Sequence, residues 1–271
     1  CAGWTGDLMS SSQAQVALVN MPFSFSKYPS IQLGTLSALL KAKGIGVECH
    51  HLNVRFAHKI GIPLYESICE KRALFGEWLF SYLLFRDNPK RAEYPRVFKP
   101  VFEQIARESG QPISFFEEMA TRTAPQFLTG AMTGIDWGQY KIVGFTSTFD
   151  QNVASLTMAK LIKDLYPDVK IVFGGANYDA EMGLEYFRAF PFIDHVVVGE
   201  GEVTFPALVT HILSGSAGPC PKGVTYREQG DIRCEPNTAL FTEFAQTGPP
   251  DYDDYYHLLA ELGTEASRGL D

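Results

Sequence analysis

A chain of 271 residues, 45% hydrophobic and 20% charged, can bury one large core with an insertion, and no stretch of it comes near the roughly 18 uninterrupted apolar residues of a membrane-spanning helix. A formal charge of −8 without a Lys/Arg run argues against a nucleic-acid backbone as partner. Cys1, Cys49, Cys69, Cys220 and Cys234 stand at long spacings with no CxxC, so no metal or iron–sulfur motif is written here, and the thiols suit a reducing, cytoplasmic compartment.

Residues 1–13 lack a basic start and a continuous apolar run and read as a flexible lead-in rather than a signal peptide. VALVN (16–20) is a short β-rich run. A helical pattern follows, with Leu33, Leu36, Leu39 and Leu40 at three- and four-residue intervals, and Gly44 and Gly46 end it. VECHHLN (47–53) is a second strand with Val47, Cys49 and His51 on one face. Residues 54–135 hold no strand pattern. Trp78, Leu79, Tyr82 and Leu83, then Val101, Phe102 and Ile105, then Phe115, Phe116 and Met119 have helical spacing, so this stretch reads as a helical insertion whose aromatic residues must pack against something.

The alternation resumes at 136. IVGFTST (142–148) is a buried-type strand, 152–166 a helix, VKIVFGG (169–175) a strand, 181–189 a helix, and HVVVG (195–199) a fifth strand. A helix over 204–213 places Pro206 near its first turn, where a missing N–H costs little. VTYR and IRCEP suggest a closing hairpin, and the Pro-, Asp- and Tyr-rich residues 237–271 read as a linker. Five strands alternating with helices predict an α/β fold. The expected sheet is flavodoxin-like, doubly wound, parallel and five-stranded in the order 2-1-3-4-5, built from 14–53 and 136–236, with the insertion after strand two. Ligands of such sheets bind outside the carboxyl ends of the strands, at the point where the chain reverses its direction of growth.

Four loops should meet there. Met21-Pro22-Phe23-Ser24, continuing to Ser30, is longer than a plain βα connection and reads as a crevice wall. Thr146, Ser147, Thr148, Phe149, Asp150, Gln151 and Asn152 concentrate hydroxyls and amides before a helix. They suit a polar cofactor tail, or Asp150 or Asn152 simply caps that helix. Gly174 and Gly175, before Ala176 and Asn177, permit close approach of a ligand or of another backbone. In Gly199-Glu200-Gly201-Glu202 the two acids read either as a proton-transfer pair or as residues favoured before a helix N-terminus, and the glycine spacing is not a dinucleotide fingerprint. The histidines form no HxxxH or HExxH pattern, and no catalytic residue emerges.

Taken in order, VALVNMPFSFSKYPSIQLG, IVGFTSTFDQN, VKIVFGGANYD, VVVGEGE and PPDYDDYY resemble the N-terminal cobalamin-binding half of cobalamin-dependent radical S-adenosylmethionine (SAM) enzymes. PSIQLG, GFTSTFDQN and GGANYD are most similar to the branch of C-methyltransferases that matures ribosomally made peptides. The resemblance implies cobalamin, as methylcobalamin, for methyl transfer to an unactivated carbon of a precursor peptide. The corrin would meet Met21 to Ser30 with Gln32, and the nucleotide tail would pass Thr146–Asn152, Gly174–Asn177 and Gly199–Glu202. The loop TSTFDQN offers no histidine to cobalt. In the family a cysteine motif holding a [4Fe-4S] cluster follows, whereas this chain ends EASRGLD with Leu270 where a cysteine is expected. SAM and the cluster would then require a C-terminal barrel outside this chain. A corrinoid carrier or sensor, and a remnant with an empty pocket, are the alternatives. Gly175→Leu is expected to abolish corrinoid binding while sparing the helices.

Overall fold

The computed structural model describes residues 14–71, 74–216, 218–235, 242 and 247–263. The lead-in 1–13 and the closing EASRGLD lie outside the described residues. Strand β1 (Val16–Asn20) leads to helix α1 (Ile31–Ala42), which Ser30 caps by accepting a hydrogen bond from the Leu33 N–H at 3.3 Å. β2 (Val47–His51) alternates buried and half-buried side chains, with Val47, Cys49 and His51 on the buried side.

Helices then follow without a strand. These are α2 (Leu52–Ile60), α3 (Ile62–Glu70), α4 (Phe75–Leu84), α5 (Tyr94–Val97), α6 (Lys99–Ser109), α7 (Ile113–Glu118) and α8 (Ala124–Gly134). Their rings meet one another, with Phe75 4.9 Å from Phe102 and 5.6 Å from Phe116, centroid to centroid. Trp78, Leu79 and Phe80 of α4 are buried, and α4 packs against α9 (Asn152–Leu165). The aromatic richness of the insertion is therefore consumed within this chain. Its exposed large apolar side chains are Leu74, Val97 and Ile113, one in each of three segments.

After β3 (Ile142–Thr146) and α9 come β4 (Lys170–Gly174), α10 (Ala180–Ala189), β5 (His195–Val197), α11 (Gly201–Leu213), β6 (Val224–Glu228) and β7 (Asp231–Cys234). The sheet corrects the expectation of five parallel strands. Among the described residues it has seven, ordered β2-β1-β3-β4-β5-β6-β7, with β6 and β7 antiparallel. The hairpin was legible as a hairpin, but nothing local shows that it joins the sheet edge beside β5. α11 also begins earlier than the spacing suggests, so Pro206 falls inside the helix. Its missing N–H leaves the Glu202 carbonyl without that helical partner.

Successive side chains face opposite sides of the sheet. Val16, Leu18, Ile142, Val172 and Val197 pack with Leu33, Leu40, Phe205 and Leu208 of α1 and α11. Ala17, Val19, Val143, Phe145, Ile171 and Phe173 pack beneath α2, α4, α8, α9 and α10. Within the stretch read as a linker, Asp253–Leu262 forms α12 and packs on β2, burying Tyr255, Leu258 and Leu259 with Val54. There, Asp254 Oδ2 accepts from the Cys49 N–H at 2.8 Å and so satisfies an edge-strand donor.

Candidate functional site

A cleft of about 210 Å³ opens at the carboxyl ends of β1, β3, β4 and β5, between α1 and α11. Its floor is made by alternate residues of neighbouring strands, Leu18, Gly144, Thr146, Val172, Gly174 and Val197, which the parallel register brings to one face. Gln32, Leu33 and Leu36 of α1 form one wall; Gly201, Glu202 and Phe205 of α11 form the other. One glycine lowers the floor. A Cβ at Gly174 would meet only Val197, at 3.6–3.7 Å, so a side chain there would stand in the cleft. The lining is mostly apolar, with few polar groups at its rim, as small-molecule sites are.

The four predicted loops converge on this end, but their side chains do different things. Gln32, Thr146, Gly174, Gly175 and the run Gly199, Glu200, Gly201 and Glu202 border the cleft. Met21, Pro22 and Phe23 are buried instead. Phe23 stacks on Tyr65 of α3 at 5.1 Å, and the Tyr65 hydroxyl donates to the Ser24 carbonyl at 2.6 Å. Ser26 donates to Glu66 from both its N–H and its hydroxyl. Ser30 is spent as the α1 cap.

In the loop after β3, Ser147 is buried and its N–H donates to Gly174. Its carbonyl and hydroxyl accept from the backbone and side chain of Asn177. Ala176 opens the short turn that carries Asn177. The Thr148 N–H donates to Gln151 Oε1 at 3.1 Å, and Gln151 Nε2 donates to Asn20 Oδ1 at 2.7 Å and to the Met21 carbonyl. Asp150 accepts from the Gly76 N–H at 3.3 Å, and Asn152 Oδ1 from the Tyr178 hydroxyl at 2.8 Å. Phe149 alone points outward, 71% exposed. Neither Asp150 nor Asn152 caps α9. That role falls to Glu77 of α4, whose carboxylate accepts from the N–H groups of Asn152 and Val153 at 3.1 and 2.5 Å. Burial pushes the Glu77 carboxyl up to about 7 against the pull of these two donors.

Glu202 sits in the first turn of α11, and its Oε2 is buried without a partner among the described residues. An unsatisfied buried acceptor costs about 1–3 kcal/mol, which a donor brought by a ligand would offset. Leu36, Gly144 and Phe205 were not read from the sequence as lining. The glycine inside a buried strand was a usable sign of close approach. Leu36 and Phe205 carry ordinary helical periodicity, which does not separate a core face from a cleft wall. The Cys49 thiol is raised to about 12 by burial, so it has no nucleophilic character. Among the described residues no three His, Cys, Asp or Glu side chains cluster as a metal site, and no helix is long and apolar enough to cross a membrane.

Residues 134–209, which span the floor from β3 to β5 and the start of α11, match the family model described as B12 binding domain. The chain is 36% identical over 112 residues to "Uncharacterized methyltransferase PH0819" of Pyrococcus horikoshii, covering 41% of this chain and 24% of that protein. It is 39% identical over 59 residues to "Cobalamin-dependent radical SAM methyltransferase TokK" of Streptomyces tokunonensis, 22% of this chain and 8% of that one. Among solved structures it aligns with the radical SAM methyltransferase TsrM from Kitasatospora setae, bound to cobalamin and a [4Fe-4S] cluster. The TM-score there is 0.45 and the identity 16%, over 87% of this chain and 31% of that chain. The chain thus matches about a quarter or less of the length of these curated relatives. It carries a match to the B12-binding domain and is similar to cobalamin-dependent radical SAM methyltransferases.

Proposed function

We propose that this chain is the cobalamin-binding module of a radical SAM C-methyltransferase acting on a ribosomally made peptide, in concert with a radical SAM barrel outside the chain. One observation carries the reading. The B12-binding match covers the glycine-floored part of the cleft, where Gly174 leaves room and Glu202 holds a buried acceptor without a partner among the described residues. These features fit a cofactor with a flat nucleotide base and a hydroxyl-bearing sugar. Gly174, Leu36 and Phe205 would hold the base, and Thr146 and Glu202 would take its polar edge. The loops Met21–Ser30 and Phe149–Asn152 would border the corrin. When bound, methylcobalamin supplies the methyl group. The residues of this chain bind it, orient it and keep water from its tail. SAM and the [4Fe-4S] cluster would belong to the barrel, and a cytoplasmic setting accords with the free thiols.

Titration with hydroxocobalamin, followed by the visible spectrum, tests the reading. Saturable binding that weakens strongly with cobinamide, which lacks the nucleotide, is the expected result. Equal affinity for the two would overturn the tail's place in the cleft. A spectrum that hydroxocobalamin leaves unchanged would overturn the function.

A further inference from the structure

A second cleft, of about 570 Å³, lies off the other end and the other face of the sheet. Ile135, Asp136 and Gln139, which precede β3, close one end of it, whereas the first cleft lies where β3 finishes. Its back is formed by Glu48 and His50 of β2, whose register partners are Ala17 and Val19 on the face away from α1 and α11. Helices α2 and α8 form its sides.

Charges of both signs line it, Arg55 and Lys59 together with Glu48, Asp136 and Glu261. Arg55 and Lys59, four residues apart, share one face of α2. Asp136 follows the carboxyl end of α8, where the last carbonyls lack helical partners and favour a cation. Arg55 is held by Glu261 at 3.1 Å, but Lys59 and Asp136 form no ion pair among the described residues. The back wall is fixed by hydrogen bonds. Tyr140 donates to Glu48 Oε2 at 2.5 Å and bonds His50 Nε2 at 2.9 Å. Burial lowers the His50 pKa against the opposing pull of Glu48.

The α8 side carries Gly130 and Gly134, one turn apart. Glycine is a poor helix former, and a Cβ at either position would meet nothing within 4 Å, so packing inside this chain does not call for glycine. What these glycines keep is open space in the cleft. Phe127 adds an apolar surface beside it.

We propose that this cleft binds a free α-amino acid with a bulky apolar side chain, its carboxylate set toward Arg55 and Lys59 and its ammonium toward Asp136. A zwitterion matches a lining that offers both signs, which a simple anion or cation would not. The site is separate from the cobalamin cleft and does not depend on that reading.

Calorimetric titration of the full chain with L-leucine and L-phenylalanine tests it. At least one should bind saturably, and leucinamide and 4-methylpentanoate, each lacking one charge, should bind at least about tenfold more weakly. Gly130→Leu, whose side chain would enter the cleft, and Lys59→Glu, an exposed reversal, should each weaken binding about tenfold or more. Hydroxocobalamin binding and the thermal midpoint should stay as in the parent. Absence of saturable heat below about 10 mM overturns the proposal. So does 4-methylpentanoate binding as tightly as leucine, which would mark a plain anion site, or unchanged affinity in Lys59→Glu.

Discussion

Gly144 of β3 lies beneath the ring of Phe205 of α11. A Cβ at 144 would stand 3.3 Å from that ring's Cζ and 3.1 Å from Leu18 Cδ2. Gly174, one strand away, has no such crowding, since its nearest neighbour would be Val197 at 3.6 Å. The two positions therefore separate folding from binding. Gly174→Val suits a strand and should leave stability within about 1 kcal/mol. It should also weaken hydroxocobalamin binding by at least about tenfold in a spectral titration. Parent-like affinity would place the tail elsewhere. Gly175→Leu, expected to abolish corrinoid binding while sparing the helices, separates the two effects less cleanly. Gly175 has φ +93° and its Cβ would lie 2.7 Å from the Ser147 carbonyl, so that substitution must move backbone as well as fill space.

Much of this arrangement was legible. Runs such as VALVN and IVGFT mark buried parallel strands because both faces are covered, and the glycine-ended strand before Ala176 marks the cleft end. What stayed hidden depends on partners far away in the chain. Thr148, Asp150, Gln151 and Asn152 have the polarity of ligand contacts, yet their groups tie this loop to itself, to β1, to α4 and to Tyr178. Short-range polarity cannot distinguish a ligand from residues 20, 76 or 178. Nor does anything near Glu77 announce that it caps a helix about 75 residues later.

Glu77 gives stability a pH dependence of definite sign. Its folded-state pKa, about 7, exceeds the ordinary 4.5 because burial penalises the charged carboxylate. Its contribution is present below about 4.5 and is lost as pH rises through about 7, a change of up to about 3 kcal/mol. Glu77→Gln should flatten that slope. Urea midpoints at pH 5 and 7.5 check this, and an unchanged difference between them would show that Glu77 does not titrate in this way.

Two histidines act in the opposite direction. His51 and His195 are lowered to about 4 by burial, and Nδ1 of each has no hydrogen-bond partner among the described residues. Neutral rings are favoured, so their contribution is full above about 6.5 and is lost as pH falls through about 4. His195→Val replaces a buried, unpartnered nitrogen with a strand former. The acid-unfolding midpoint, followed by circular dichroism, should move to lower pH. A midpoint that stays put or rises would remove His195 from the acid response.

Gly34 of α1 tests how the C-terminal segment is held against the cleft wall. Its Cβ would lie 2.5 Å from Tyr252 Cε1 and 3.0 Å from the Asp251 carbonyl, and its own carbonyl accepts from the Asp251 N–H at 2.9 Å. Asp251 also accepts from Ser37 at 2.7 Å and pairs with Lys41, both on α1. Alanine is a better helix former than glycine, so Gly34→Ala should strengthen α1 itself while pushing Tyr252 off it. Hydrogen exchange should then quicken across residues 251–262 and stay slow in β1 and β3. If exchange in α12 does not change, this helix is held by Asp254 and Tyr255 on the β2 side, and the contact with α1 is incidental to its docking.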